Sequence, residues 1–243
     1  MDLEKKIAVL YHIFYEDTIT YIDRQLKPLE TLNPLYFFNI SADTPNQDEI
    51  RDHLHRLFPG AIICTSSNKG KDIGGKLVLL YSCTRMEKNP DWLLFLHDKK
   101  SHQALNASTW KDELLVIIEP QQLETIKTAL NAEDDCGIIA AGKYITTETI
   151  TGGKFVSKNA DILQQLLLNY KLPVTNFNYV AGTMFWAKAK PFLDFFGRHN
   201  PLEIRETLEP GNVIDDFNGT ITHSWERILS WIPACQGLTI KRI

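Results

Sequence analysis

Six consecutive residues, His97, Asp98, Lys99, Lys100, Ser101 and His102, place two imidazoles, two ammonium groups, a carboxylate and a hydroxyl side by side. Such a cluster suits an anion, and Asp98 could hold a ribose hydroxyl or a metal ion. Five apolar residues, 92–96, precede it without polar alternation, as in a strand covered on both faces. In open α/β sheets ligands bind beyond the carboxyl ends of strands. A solvated turn is the plain alternative for an isolated charged hexapeptide.

Three other stretches carry candidate chemistry. Residues 67–76 (SNKGKDIGGK) form a strand-to-helix turn with Gly70, Gly74 and Gly75. Glycine lets backbone approach a ligand. The helix N-terminus adds positive potential, and Lys69, Lys71 and Lys76 add charge. Asp72 could accept hydrogen bonds from a base or ribose, or it could cap the helix while Gly74-Gly75 permits tight packing. The turn matches neither a P-loop nor a dinucleotide fingerprint. Residues 179–189 (YVAGTMFWAKA) read either as a core strand bulged at Gly182, or as a sugar pocket floored by Gly182-Thr183 with Trp186 as a platform. Residues 215–229 (DDFNGTITHSWERIL) give a turn at Asn218-Gly219 and then a helix capped by Thr220 or Thr222. His223, Glu226 and Arg227 fall close to one face of that helix. A solvated face with a local Glu226–Arg227 pair is the alternative.

The elements that must position these groups alternate. Strands are expected near 7–14, 34–40, 61–65, 92–96 and 136–140. Helical spacing recurs at Ile19, Ile22, Leu26 and Leu29, again at Ile50, Leu54 and Leu57, and after the glycine turn to about Met86. Further helices fit 109–118, the stretch from Pro120 to Leu130, and 161–170. The strand–helix order predicts a parallel or mixed sheet with right-handed crossovers. Residues 141–158 are irregular and glycine-containing, and a loop that long is usually functional or mobile.

Length and charge narrow the classes. The 243 residues suit one large α/β domain or two small ones, and 44% hydrophobic residues supply a core. The net charge of −4 gives no global attraction for nucleic acid, so anion binding must be local. No stretch approaches the ~20 apolar residues of a membrane span. The first residues read as a strand, not a signal peptide. Cys64, Cys83, Cys136 and Cys235 lack metal spacing and read as free thiols of a cytosolic protein.

In order along the chain, YHIFYED, NKGKDIGGK, FLHDKKS, TWKDELL, AGTMFWAKA and NGTITHSWERIL resemble the rhamnan synthesis protein F family over about residues 6–230. The resemblance implies a single GT-A-like domain over 1–243, a mixed, mostly parallel sheet flanked by helices. Its nucleotide-binding half would cover about 1–102 and its acceptor side about 103–243. It implies a glycosyltransferase that moves rhamnose or a related deoxyhexose to a cell-surface polysaccharide or lipopolysaccharide. The donor would be a nucleoside-diphosphate sugar such as dTDP-rhamnose, and the acceptor a glycan or lipid-linked glycan. The protein would be cytoplasmic, or peripheral at the inner face of the membrane. The family commonly has HTKKS where this chain has His97-Asp98-Lys99-Lys100-Ser101, an arginine where it has Lys71, and DGT where it has Asn218-Gly219-Thr220.

On that resemblance, Lys71, Asp72, Gly74, Gly75, His97, Asp98, Lys99, Lys100 and Ser101 would hold the nucleotide and diphosphate. Gly182, Thr183, Trp186 and Arg227 would line the sugar or acceptor pocket. Glu226 is the first candidate for the base, with Asp216 or Asp215 second and His223 orienting it or touching phosphate. Asp98 could bind Mg2+ or Mn2+. Lys99 and Lys100 could instead stabilise the leaving diphosphate without metal. A non-catalytic nucleotide-sugar or carbohydrate-binding module, or an interaction subunit of a polysaccharide assembly complex, is the competing class.

Overall fold

The computed structural model describes residues 5–86, 89–98, 112–132, 134–150, 153–214 and 218–243. Nine strands are present among these: β1 Ile7–Ile13, β2 Leu35–Ser41, β3 Ile62–Ser66, β4 Trp92–His97, β5 Cys136–Ala140, β6 Ile145–Thr147, β7 Asn178–Val180, β8 Phe185–Lys188 and β9 Thr239–Arg242. The helices used below are α1 Ile22–Leu26, α2 Gln47–Leu57, α3 Lys71–Thr84, α4 Leu123–Asn131, α5 Ala160–Asn169, α6 Ala189–Arg198, α7 Pro201–Glu206 and α8 Ile221–Ala234.

Seven strands form one sheet in the order β3-β2-β1-β4-β8-β5-β9, and β6 pairs with β7 separately. Strands β1 to β4 are mutually parallel, and β8 runs antiparallel between β4 and β5. The expected mixed, mostly parallel α/β sheet is therefore observed. Both halves of the chain contribute strands to it.

Strand alternation divides the core into two layers. Val9, Tyr11, Phe38, Leu94 and Trp186 face α1, α2 and α4, while Leu10, Phe37, Leu93 and Phe95 face α3 and α5 to α8. Continuous apolar runs in β1 and β4 follow from cover on both faces. At the carboxyl ends the same alternation sends His12, Asn39 and His97 toward α3.

The chain visits β1, β2 and β3 in one direction and then returns to place β4 on the other side of β1. That reversal creates a switch point between the carboxyl ends of β1 and β4, where open α/β sheets bind ligands. His12 and His97 are direct neighbours there in the parallel register.

Several local expectations change. The helix expected through Ile19 to Leu29 is broken into 3-10 turns around the five-residue α1. In the first of these turns the Thr18 hydroxyl donates to Asp98. Residues 179–189 are two strands in different sheets, not one bulged strand. Gly182 (φ 83°) and Thr183 (φ 53°) turn the chain between them. All four cysteines are free, as expected, though Cys64 and Cys235 are only partly buried.

Candidate functional site

Two adjoining cavities open beyond the carboxyl ends of β1 and β4. The first, about 180 Å³, is bounded by His12, Phe14, Tyr15, Asn68, Asp98 and Asn212. The second, about 360 Å³, is bounded by Ile73, Ala181, Gly182, Thr222, His223, Glu226 and Arg227. Lys71, Asp72 and His97 line both. The glycine turn, the end of β4 and the face of α8 thus meet in one cleft.

Helix α3 begins at the left-handed Gly70 (φ 76°), so the turn itself starts the helix and Asp72 does not cap it. One turn further in, Lys76 points down onto the sheet and is fully buried. Its ammonium lies 2.7 Å from Asp72 Oδ2 and 3.2 Å from His97 Nδ1, and it also bonds the Thr183 hydroxyl. Thr183 donates in turn to Asp72 Oδ2 at 2.6 Å. Burial alone would raise the Asp72 pKa, but the adjacent Lys76 ammonium outweighs it and holds the carboxyl well below the usual range.

Beside this network, Asn39 Nδ2 is 3.0 Å from both His12 Nδ1 and Ser66 Oγ. Burial pushes the His12 imidazole down to about 4, so it is neutral at pH 7. A Cβ at residue 75 would overlap the His12 ring, and one at 74 the Lys69 carbonyl. Gly74 and Gly75 line neither cavity. They are required for close packing, which corrects their expected contact with a diphosphate.

Asp98 is buried and its carboxylate faces the chain. It accepts from the Phe14 amide at 2.9 Å, the Tyr15 amide at 2.7 Å and the Thr18 hydroxyl at 2.6 Å. These bonds fix the loop after β1 that walls the first cavity. Main-chain and hydroxyl donors thus account for one edge of this carboxylate. Among the described residues no group of three or more His, Cys, Asp or Glu could hold a metal ion.

The second cavity is built on α8. Thr220 caps that helix by accepting from the His223 amide at 3.0 Å. Glu209 accepts from the Ile221 and Thr222 amides at 2.6 and 2.9 Å. Glu226 Oε1 accepts from the Gly182 amide at 2.8 Å, and Oε2 lies 2.7 Å from Arg227 Nη1. Arg227 also pairs with the buried Glu148 at 3.0 Å and stacks over Tyr179 at 4.6 Å. The face is therefore not simply solvated, although the expected local Glu226–Arg227 pair is present. Trp186 is fully buried and donates its indole N–H to the Ile117 carbonyl at 2.9 Å. It offers no platform to a sugar. Thr183 is also buried, with its hydroxyl bonded to Lys76 and Asp72.

Of the expected site residues, Lys71, Asp72, His97, Asp98, Gly182, His223, Glu226 and Arg227 line the cleft. Lys99, Lys100, Ser101, Asp215 and Asp216 lie outside the described residues. Sequence reasoning counted Lys76 only as charge near the turn, and it missed His12, Asn39, Glu148 and Glu209. The available signals were a polar residue at the end of an apolar strand and, for Lys76, an i, i+4 spacing from Asp72.

These features define a mixed α/β protein with a polar, ligand-sized cleft at the sheet's switch point. The chain belongs to the rhamnan synthesis protein F family, whose model matches residues 1–238. It is 28% identical over 233 residues to the uncharacterized protein WxcX of Xanthomonas campestris pv. campestris, in strain ATCC 33913 and in strain B100. Each alignment covers 91% of this chain and 32% of WxcX, so the chain spans about a third of those relatives. Among solved structures it is similar to the mannosyltransferase PcManGT from Pyrobaculum calidifontis in complex with GDP-Man and Mn2+. There the TM-score is 0.42 at 12% identity, covering 98% of this chain and 55% of that one.

Proposed function

We propose that the protein is a GT-A-like glycosyltransferase that uses a nucleoside-diphosphate sugar to extend a cell-surface polysaccharide or lipopolysaccharide. The observation that carries this reading is the pair of cavities joined through Lys71, Asp72 and His97. The first lies at the switch point and suits the nucleotide. The second presents a carboxylate, an imidazole and a guanidinium to the transferred sugar and its acceptor. Membership of the rhamnan synthesis protein F family favours rhamnose or a related deoxyhexose, carried as dTDP-rhamnose, with a glycan or lipid-linked glycan as acceptor. The reaction then takes place on the cytoplasmic side, at the membrane face if the acceptor is lipid-borne.

Inverting transfer needs a base within hydrogen-bond reach of the acceptor hydroxyl. Glu226 is our candidate for this base, and its hydrogen bonds to the Gly182 amide and Arg227, which leave a lone pair on each oxygen, support the choice. His223 beside it, 2.6 Å from Thr220 Oγ1, orients the base or touches phosphate. Lys71, with Lys99 and Lys100, supplies positive charge to the leaving diphosphate. Transfer that survives EDTA is the expected outcome, and complete loss restored by Mn2+ would assign that charge to a metal. Glu226→Gln should reduce sugar transfer by at least about a hundredfold, as for loss of a general base, while nucleotide affinity is retained. Full activity in that variant would reject Glu226 as the base.

A second reading, a nucleotide-sugar-binding module without catalysis, is favoured by one observation. Both Glu226 oxygens already hold protein donors. A donor sugar that raises the melting temperature without being hydrolysed or transferred would select it.

A further inference from the structure

The floor of the cleft is organised by Lys76, a charged side chain that lines neither cavity. An ammonium has three donors and no acceptor. Here the three meet Asp72 Oδ2, His97 Nδ1 and the Thr183 hydroxyl. Thr183 then gives its own proton to Asp72 Oδ2. His97 Nδ1 must therefore accept, and the ring proton sits on Nε2. The opposite arrangement would need a neutral lysine to accept from the ring. Lysine is ordinarily the more basic by about four units, and the Asp72 carboxylate 2.7 Å from its ammonium favours the charged form, so the proton stays on Lys76. Asp72 Oδ2 is saturated by its two donors. Its Oδ1 takes no hydrogen bond among the described residues, on a side chain 24% exposed that borders both cavities.

We infer that Lys76 is a positioning residue that fixes His97 as its Nε2–H tautomer and turns Asp72 Oδ1 into the junction of the two cavities, where that oxygen binds a sugar hydroxyl of the ligand. An ionised carboxylate accepts from a hydroxyl and repels a phosphate. Asp72 therefore reads the sugar and leaves the diphosphate to the lysines. The identity of the ligand rests on the transferase reading above; the hydrogen-bond network does not.

Two measurements on the whole 243-residue chain test this. Long-range 1H–15N spectra of the unliganded protein near pH 7.5 report the His97 tautomer. A protonated Nε2 with a bare Nδ1 is expected, and a proton on Nδ1 overturns the inference. Calorimetry with dTDP and with dTDP-rhamnose then compares the wild type with Asp72→Asn. Lys76 and Thr183 both donate, so the amide oxygen is held toward them and its NH2 faces the cleft, replacing an acceptor by a donor. Affinity for dTDP should stay within about twofold, while the affinity added by the sugar falls roughly tenfold, as for one charge-assisted hydrogen bond. An equal loss for both ligands, or a sugar that adds nothing in the wild type, overturns the hydroxyl assignment. A wild type that binds neither nucleotide defeats the transferase reading instead, and the tautomer alone then decides whether Lys76 positions the site.

Discussion

The two cavities share a floor but are held in different ways. The first is fixed by main chain: strand register sets His12 against His97, and Asp98 ties down the loop after β1 through two amides and a hydroxyl. The second is fixed by charges around one helix: Glu226 and Arg227 on it, Glu148 from the loop after β6 and Glu209 from the loop before its start. A site clamped by parallel strands offers a rigid berth for a constant group. A site carried on a single capped helix changes its chemistry by side-chain substitution without disturbing the sheet. On the proposed reading, the first cavity takes the nucleotide and the second a variable sugar or acceptor.

Perturbations can break this contrast at three depths. The largest effect on stability should come from the shared floor. Lys76→Met leaves the Asp72 carboxylate beside a methyl group, and removing one partner of a buried pair costs roughly 3–5 kcal/mol. Urea denaturation should show a loss of about that size. A loss under about 1 kcal/mol would mean that the floor is not organised by this pair.

Next is acid sensitivity of the first cavity. The unfolded chain protonates His12 below the ordinary 6.5, whereas the folded protein resists until about 4. The unfolded state therefore binds more protons across that window, and stability falls as pH drops through it. His12 should account for up to about 3 kcal/mol of the loss between pH 7 and pH 4, at 1.36 kcal/mol per unit. Denaturation curves for wild type and His12→Gln should converge toward pH 4; parallel curves would place the acid response elsewhere.

The smallest stability effect belongs to the second cavity. Thr220→Ala removes a helix cap worth about 1 kcal/mol. It should lower the melting temperature slightly and disturb the His223 amide, leaving the signals of Phe14 and Tyr15 unmoved. Shifts across both cavities would show that the two are not separately held.

Much of the architecture was legible because apolar runs and strand–helix alternation report burial directly. The end of β4, the glycine turn and the His223–Glu226–Arg227 face were found from residue type and spacing. The remainder depended on contacts between distant residues. Glu148 meets Arg227 across 79 positions, and Thr183 meets Lys76 across 107. No local pattern encodes those pairings. Trp186 was misplaced because a buried strand and a sugar platform use the same aromatic residues, and only its indole bond to Ile117 separates them. For Asp98, a carboxylate that braces backbone amides and one that binds metal look alike in sequence.

The central claim is that one ligand bridges both cavities. Amide chemical-shift titration with dTDP and then with dTDP-rhamnose tests it most directly. The bare nucleotide should perturb Phe14, Tyr15, Asn68 and Lys71, and the nucleotide sugar should add Gly182, His223 and Glu226. A nucleotide sugar whose shifts stay within one cavity, or fall at the opposite end of the sheet, would contradict the account.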